Sequence, residues 1–260
     1  MTGQEIIKSV FASLLPESVL QDCAKAGFTK KQIFLFYRKY FRETPDFKKI
    51  QGLSQKLIQY MGNTYSFPQL EILAIKKDQE ENGKIAFKTV DGHIIESVFL
   101  TRGDFHSICI STQVGCKMNC AFCATGKLGF VRNLEPWEML EQIRLSSFEF
   151  IKSGKKLTHI TIMGMGEPFE NFDNMYQAFL IMIHPFSYSI AAKRVTVATS
   201  GYLPGLKKLL EKKILPSVTF SIHAPNQEIR EKLLPISKKY SLEEILEYIR
   251  NYPLKKNKRI

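Results

Sequence analysis

The sequence has no run of eighteen or so apolar residues, the length a membrane-spanning helix needs, so no part of it is expected to cross a membrane. Its first residues, MTGQEIIKSV, lack the charged n-region and apolar h-region of a secretion signal. Cysteine is scarce: there are five, an odd number, and three of them fall between positions 116 and 123. That excludes a disulfide framework and points to a reducing compartment, so the chain is expected to be cytoplasmic. Neither an internal repeat nor a low-complexity segment is present. Acidic residues are outnumbered, 25 Asp+Glu against 37 Lys+Arg, leaving a net charge of +12. Such an excess suits a polyanionic partner, of which RNA or DNA is the usual one. At 260 residues the chain is long enough to bury a substantial core, as one large domain or two small ones.

What the sequence does hold is the stretch Gln113 to Phe130, QVGCKMNCAFCATGKLGF. Cys116, Cys120 and Cys123 form a C-x3-C-x2-C run just past the alternating segment Ser107-Ile108-Cys109-Ile110-Ser111, with glycines at 115, 126 and 129. The thiols therefore sit on a glycine-rich loop after a strand, where backbone can wrap a compact object. Cysteine thiolates hold iron–sulfur clusters, usually four per cluster. Three thiolates on a four-iron cluster leave one iron open to a ligand from a substrate. A structural zinc wants four ligands, and only His106 lies near. Buried free thiols have no reason to gather on such a loop.

Around this stretch the pattern changes twice. Residues 1–68 read as short helices: Gln4 to Leu15, Ser18 to Ala26 ending at Gly27, a helix from Lys30 to Phe41 capped by Thr29, and Ser54 to Met61. The Lys30 helix is aromatic on one side, expected to be core, and basic on the other; the basic face, with Lys30, Lys31, Arg38, Lys39, Lys48 and Lys49, is the RNA candidate of this region. Residues 69–104 alternate with period two, with hairpin turns expected at Asn82-Gly83 and Asp91-Gly92. From 105 to 260 strands and helices alternate, the strands ending in Gly164-Met165-Gly166-Glu167-Pro168, Thr199-Ser200-Gly201 and His223-Ala224-Pro225. That succession predicts an α/β fold with a parallel sheet, a full or partial (β/α) barrel whose site lies at the carboxyl ends of its strands. The basic tail from Lys255 to Ile260 reads as a polar turn entering another strand.

With QVGCKMNCAFCATGKLGF, MGMGEP, Thr-Ser-Gly and SIHAPNQEIREKLLPI in this order, the chain resembles the radical S-adenosylmethionine (SAM) RNA adenine-C2 methyltransferases, which act on 23S ribosomal RNA and tRNA. The adenine-C8 methyltransferases share these blocks. The resemblance implies a partial radical-SAM barrel, incomplete at the C-terminus, behind a small helical domain and β-hairpins. It implies a [4Fe-4S] cluster on Cys116, Cys120 and Cys123, and SAM held by Gly166 and Glu167 and by the strand end Ser221-Ile222-His223. Glu96 falls at the family's proton-acceptor position, and Cys109 at a cysteine that helps resolve the RNA adduct. An electron-donor protein and a monomeric state are implied as well. Cys23 matches no family position and is expected in the core.

The resemblance also implies two departures. Ala198 stands where the family has a serine that contacts SAM. The family's methyl-carrying cysteine and a SAM-pocket asparagine have no counterpart within these 260 residues. A remnant that binds RNA or SAM without transferring methyl is the alternative those departures raise.

Overall fold

A computed structural model of the chain describes residues 8–44, 46–152 and 154–252. Helices α1 (Pro16–Lys25), α2 (Lys30–Arg42) and α3 (Gln55–Thr64) come first. Strands β1 (Glu71–Lys77), β2 (Gly83–Lys88), β3 (Ile94–Arg102) and β4 (Phe105–Cys109) follow. Next come β5 (Gln113–Gly115), α4 (Ala124–Lys127), β6 (Phe130–Asn133) and α5 (Pro136–Lys152). The chain then alternates through β7 (His159–Ile162), α6 (Phe172–Ile183), β8 (Val195–Thr199), α7 (Leu203–Leu210), β9 (Ser217–Phe220), α8 (Gln227–Leu233) and α9 (Leu242–Arg250).

One mixed sheet runs in the order β1-β2-β3-β4-β7-β8-β9. The strands β1 to β4 pair antiparallel, as their hairpins require, while β4, β7, β8 and β9 pair parallel through helical crossovers. The barrel expected from the succession is therefore partial, an open sheet, and the hairpin region continues it edge to edge. Alternation decides what each face does. Ile108, Ile160, Ile162, Val195 and Val197 are fully buried beneath the helices, whereas Cys109, Thr161 and Ala198 point to the other, less covered face.

The N-terminal helices pack by their aromatic side, as expected. Thr29 caps α2 through a reciprocal box: its hydroxyl accepts from Gln32 N at 3.3 Å, while Gln32 Oε1 accepts from Thr29 N at 2.8 Å. Phe36, Tyr37 and Tyr40 then close around Phe11, with ring centroids 4.5–5.2 Å from it. Cys23 is buried among them, its thiol 3.8 Å from Met61 Sδ. These helices are fastened to the sheet layer through α5. There Arg144 donates to both carboxylate oxygens of Glu141, at 2.5 and 2.7 Å, to Thr44 O at 2.8 Å, and lies 4.9 Å from the Tyr40 ring centre. Phe34 of α2 and Phe186 stack with ring centres 3.7 Å apart.

Several expected boundaries move. Of the helix expected over Gln4 to Leu15, residues 4–7 lie outside the described residues, and within them only Phe11–Ser13 makes a 3₁₀ turn, because Phe11 N donates to Ser66 O and draws the chain into a bridge. Gly62 and Asn63, expected to end a helix at Met61, are inside α3, since buried Met61 anchors its last turn. The first hairpin turns on Asp78, whose Oδ1 accepts from the amides of Glu80 and Asn82; Gly83 already belongs to β2. The expected strand at Lys255 to Ile260 lies outside the described residues.

Candidate active site

The cysteine loop is tied off at its base. Strands β5 and β6 pair antiparallel, Gln113 with Asn133 and Gly115 with Phe130, and Cys116 N donates to Gly129 O at 2.8 Å. Both strands are too short to leave a periodic signal, and sequence reasoning missed them. The pairing demands a glycine at 115: its φ is +74°, and a Cβ there would lie 1.8 Å from Gly129 O. Gly166 meets the loop from the other side, with φ +104° and room for no Cβ against Gln113. The Gln113 side chain joins the two pieces, accepting from Glu167 N at 2.9 Å and donating to Glu170 at 2.7 Å.

One cavity collects the outcome at the carboxyl ends of β7, β8 and β9. Its walls are Cys116, Cys120 and Cys123 from the loop, Gly166 and Glu167 after β7, Ala198 to Ser200 at the end of β8, and Ser221 and His223 after β9, with Met118, Phe122, Met163 and Leu234 between them. Phe122 and His223 face each other across it, ring centres 4.7 Å apart, and His223 takes a left-handed φ of +58° to do so.

Glu167 is 3% exposed, and each of its carboxylate oxygens accepts twice: Oε1 from Thr199 Oγ1 at 2.8 Å and Phe169 N at 3.2 Å, Oε2 from Ser200 N at 2.9 Å and Ser200 Oγ at 2.7 Å. Burial nevertheless pushes its carboxyl above the ordinary carboxylate range, against those donors. Burial likewise raises the Cys116 thiol to about 12 and the Cys120 thiol above its usual value. Both are neutral thiols until a metal displaces the proton.

The expected site residues divide. The three cysteines, Gly166, Glu167, Ser221 and His223 share the cavity. Ile222 does not line it: its side chain packs on the core, and its carbonyl accepts from Arg230 at 3.2 Å. That follows from alternation, which turns the residue between Ser221 and His223 away. Glu96 and Cys109 are also off the cavity wall. Glu96 pairs with Lys84 at 2.8 Å, and Cys109, whose thiol burial raises, sits on β4 opposite Val98 and beside Thr161 of β7. Thr199 and Ser200, which hold Glu167, were legible only as the Thr-Ser-Gly strand end. Arg230 was not singled out: it lies inside the block SIHAPNQEIREKLLPI, but QEIREK by itself reads as an ordinary surface helix.

Residues 110–255 match the Radical SAM superfamily. A relative from Nautilia profundicola, a dual-specificity RNA methyltransferase RlmN, is 33% identical over 97% of this chain and 74% of its own length. The chain belongs to the radical SAM superfamily and, within it, to the dual-specificity RNA methyltransferase family. A second relative, a probable dual-specificity RNA methyltransferase RlmN 2 from Protochlamydia amoebophila, is 37% identical over 88% of this chain. The chain spans 63% of that relative's length. Among solved structures it is similar to a radical SAM methyltransferase from Sphaerobacter thermophilus, with a TM-score of 0.88, 29% identity, and coverage of 94% of this chain and 72% of the other.

Radical SAM membership implies a [4Fe-4S] cluster and SAM. The residues fit that pair. The three cysteines line one cavity, on a loop that leaves room between them for a compact group. Glu167 and the serines at 200 and 221 supply polar groups on the walls around the thiols. Among the described residues no helix is long and apolar enough to cross a membrane.

Proposed function

We propose that this chain carries the cofactor and reaction site of a methyltransferase that modifies C2 of adenine in 23S rRNA and tRNA. The observation that carries the reading is the single cavity in which three cysteine thiols meet Glu167, Ser200, Ser221 and His223 at the ends of parallel strands. When bound, the cluster and SAM supply the radical that methylation of an aromatic carbon requires. Cys116, Cys120 and Cys123 hold the cluster. Gly166 and Glu167 receive the amino end of SAM, and Ser221 and His223 flank it; Ala198 offers no hydroxyl there. Because Glu167 already accepts four hydrogen bonds, SAM binding on it requires a hydroxyl of Ser200 or Thr199 to turn away. Glu96 serves as proton acceptor and Cys109 as resolving thiol; both are on the sheet face that Ala198 shares, outside the cavity lining.

Residues 1–68 serve as an RNA-binding layer, the hairpins of 69–104 link it to the sheet, and 105–260 form the radical-SAM unit. Lys30, Lys31, Arg38, Lys48 and Lys49 are exposed for phosphate contacts, whereas Lys39 is engaged by Glu43 at 2.6 Å. An electron-donor protein reduces the cluster, and the chain works as a cytoplasmic monomer.

The test is anaerobic reconstitution followed by assay. The chain should take up about four irons, lost in Cys120→Ala, and release 5′-deoxyadenosine from SAM on reduction. With RNA present, mass spectrometry should find 2-methyladenine. Stoichiometric zinc in place of iron, or 8-methyladenine as the product, overturns the reading.

A further inference from the structure

The guanidinium of Arg230 is the least expected object near the cavity. It stands on α8 between Ile229 and Glu231, on a helix rich in charged residues, yet it is fully buried. Its Nε donates to Ile222 O at 3.2 Å, and its Nη2 to Ser200 O at 2.7 Å and Ser221 O at 3.3 Å. Its Nη1 donates to Ser237 Oγ. One side chain thus grips the ends of β8 and β9 together, and both serines line the cavity. Ser200 in turn donates through N and Oγ to Glu167, so the guanidinium is one residue removed from the buried carboxylate.

The helix carrying Arg230 is also joined to the cysteine loop. Ala121 N, between the second and third cysteines, donates to Leu233 O at 2.9 Å, and Leu234 stands in the cavity wall. Through α8, then, the strand ends and the thiol loop are held in one register. Only a planar fork can hold three carbonyls from two strands; an ammonium is a point charge without that geometry.

The four acceptors take four of the five N–H groups but leave the charge uncompensated, because three are backbone carbonyls and one is a hydroxyl. A buried charge without a counter-ion is costly and persists where an anion faces it. The cavity that Ser200 and Ser221 line is also lined by Cys120, whose neighbour Ala121 is hydrogen-bonded to the helix carrying this guanidinium.

We infer that Arg230 is a positioning residue of the cofactor cavity, clamping the ends of β8 and β9 against the cysteine loop and setting a positive charge behind the thiolate-held group. The inference rests on the cofactor reading above.

The experiment uses the cluster-loaded chain and S-adenosylhomocysteine as the probe, with calorimetric affinity, the midpoint potential of the cluster and melting temperature as readouts. Arg230→Lys keeps the charge and loses the fork; its affinity should fall about ten-fold, the effect typical of groups that orient a metal site's ligands, with the potential close to wild type. Arg230→Gln loses both, so its potential should also move negative, because a nearby cation stabilises the reduced cluster. Should neither variant fold, Ser237→Ala decides, since it removes one acceptor and keeps the charge; it should weaken binding several-fold. Wild-type affinity in Arg230→Lys or Ser237→Ala, or an unmoved potential in Arg230→Gln, overturns the inference alone. A wild-type chain that does not bind the probe overturns the cofactor reading, and this inference with it.

Discussion

Glu167, just past β7, and Ser200, at the end of β8, are joined by two hydrogen bonds to one oxygen: Ser200 N reaches Glu167 Oε2 at 2.9 Å and Ser200 Oγ reaches it at 2.7 Å. The pair ties neighbouring strand ends together above the sheet, in the wall of the cavity that the thiols share. It also places a carboxyl group where burial favours the proton over the charge.

That burial has a sign. A carboxyl whose folded pKa is raised contributes its stability fully below the ordinary glutamate value of 4.5, and loses it as pH rises through the folded value. The cofactor-free chain should therefore melt progressively lower as pH is raised from 4.5. Glu167→Gln, which cannot titrate, should remove that slope. Melting curves of both proteins across pH check it, and parallel slopes would show that Glu167 ionises freely in the fold.

Gly115 and Gly129 share a φ of +74° but differ in what surrounds them. At Gly129 a Cβ meets nothing within 4 Å, so Gly129→Ala should cost only the left-handed backbone penalty, about 1–2 kcal/mol. At Gly115 a Cβ would sit 1.8 Å from Gly129 O, so Gly115→Ala must break the β5–β6 pairing as well. Iron uptake on reconstitution should survive the first substitution and collapse in the second.

Arg144 and Glu141 are each 1% exposed, and the pair holds the N-terminal helices through Thr44 O and Tyr40. Arg144→Met leaves a buried carboxylate alone and should cost about 3–5 kcal/mol in denaturant titration. Adding Glu141→Gln should recover a large part of that loss. A double variant as unstable as the single one would mean that the contact to Thr44, not the charge pair, carries the stability.

Lys30, Lys31 and Arg38 are exposed on one side of α2, while Lys39, counted with them from sequence, is only 17% exposed and bound to Glu43. Replacing the first three with Gln should weaken tRNA binding and reduce its salt slope by roughly one for each lost phosphate contact. Lys39→Gln should change the slope little. The opposite ranking would place the RNA on another face.

The local features were readable because they depend on residues close in sequence. C-x3-C-x2-C with its glycines, the Thr29-to-Gln32 capping box and the Gly-Glu-Pro strand end each depend on spacing within a few positions, and each stands where the sequence puts it. Boundaries were less legible, since Met61 keeps α3 going through Gly62 and Asn63 by burial, a tertiary term stronger than helix propensity.

What the sequence by itself determined is the chemistry available: three thiols on one loop, carboxyl and hydroxyl groups at strand ends, and a basic, aromatic-cored N-terminal layer. Only the tertiary structure decided which of these groups meet. It closed the thiol loop with a two-strand ribbon too short to carry a period, turned Ile222 inward between two cavity residues, and left Glu96 with Lys84. It also buried Arg230 beneath the cavity, where partners 7 to 30 residues away share one side chain. The physical reason is that a guanidinium chooses its acceptors by geometry and desolvation, and neither exists until the strands, helices and loop have packed.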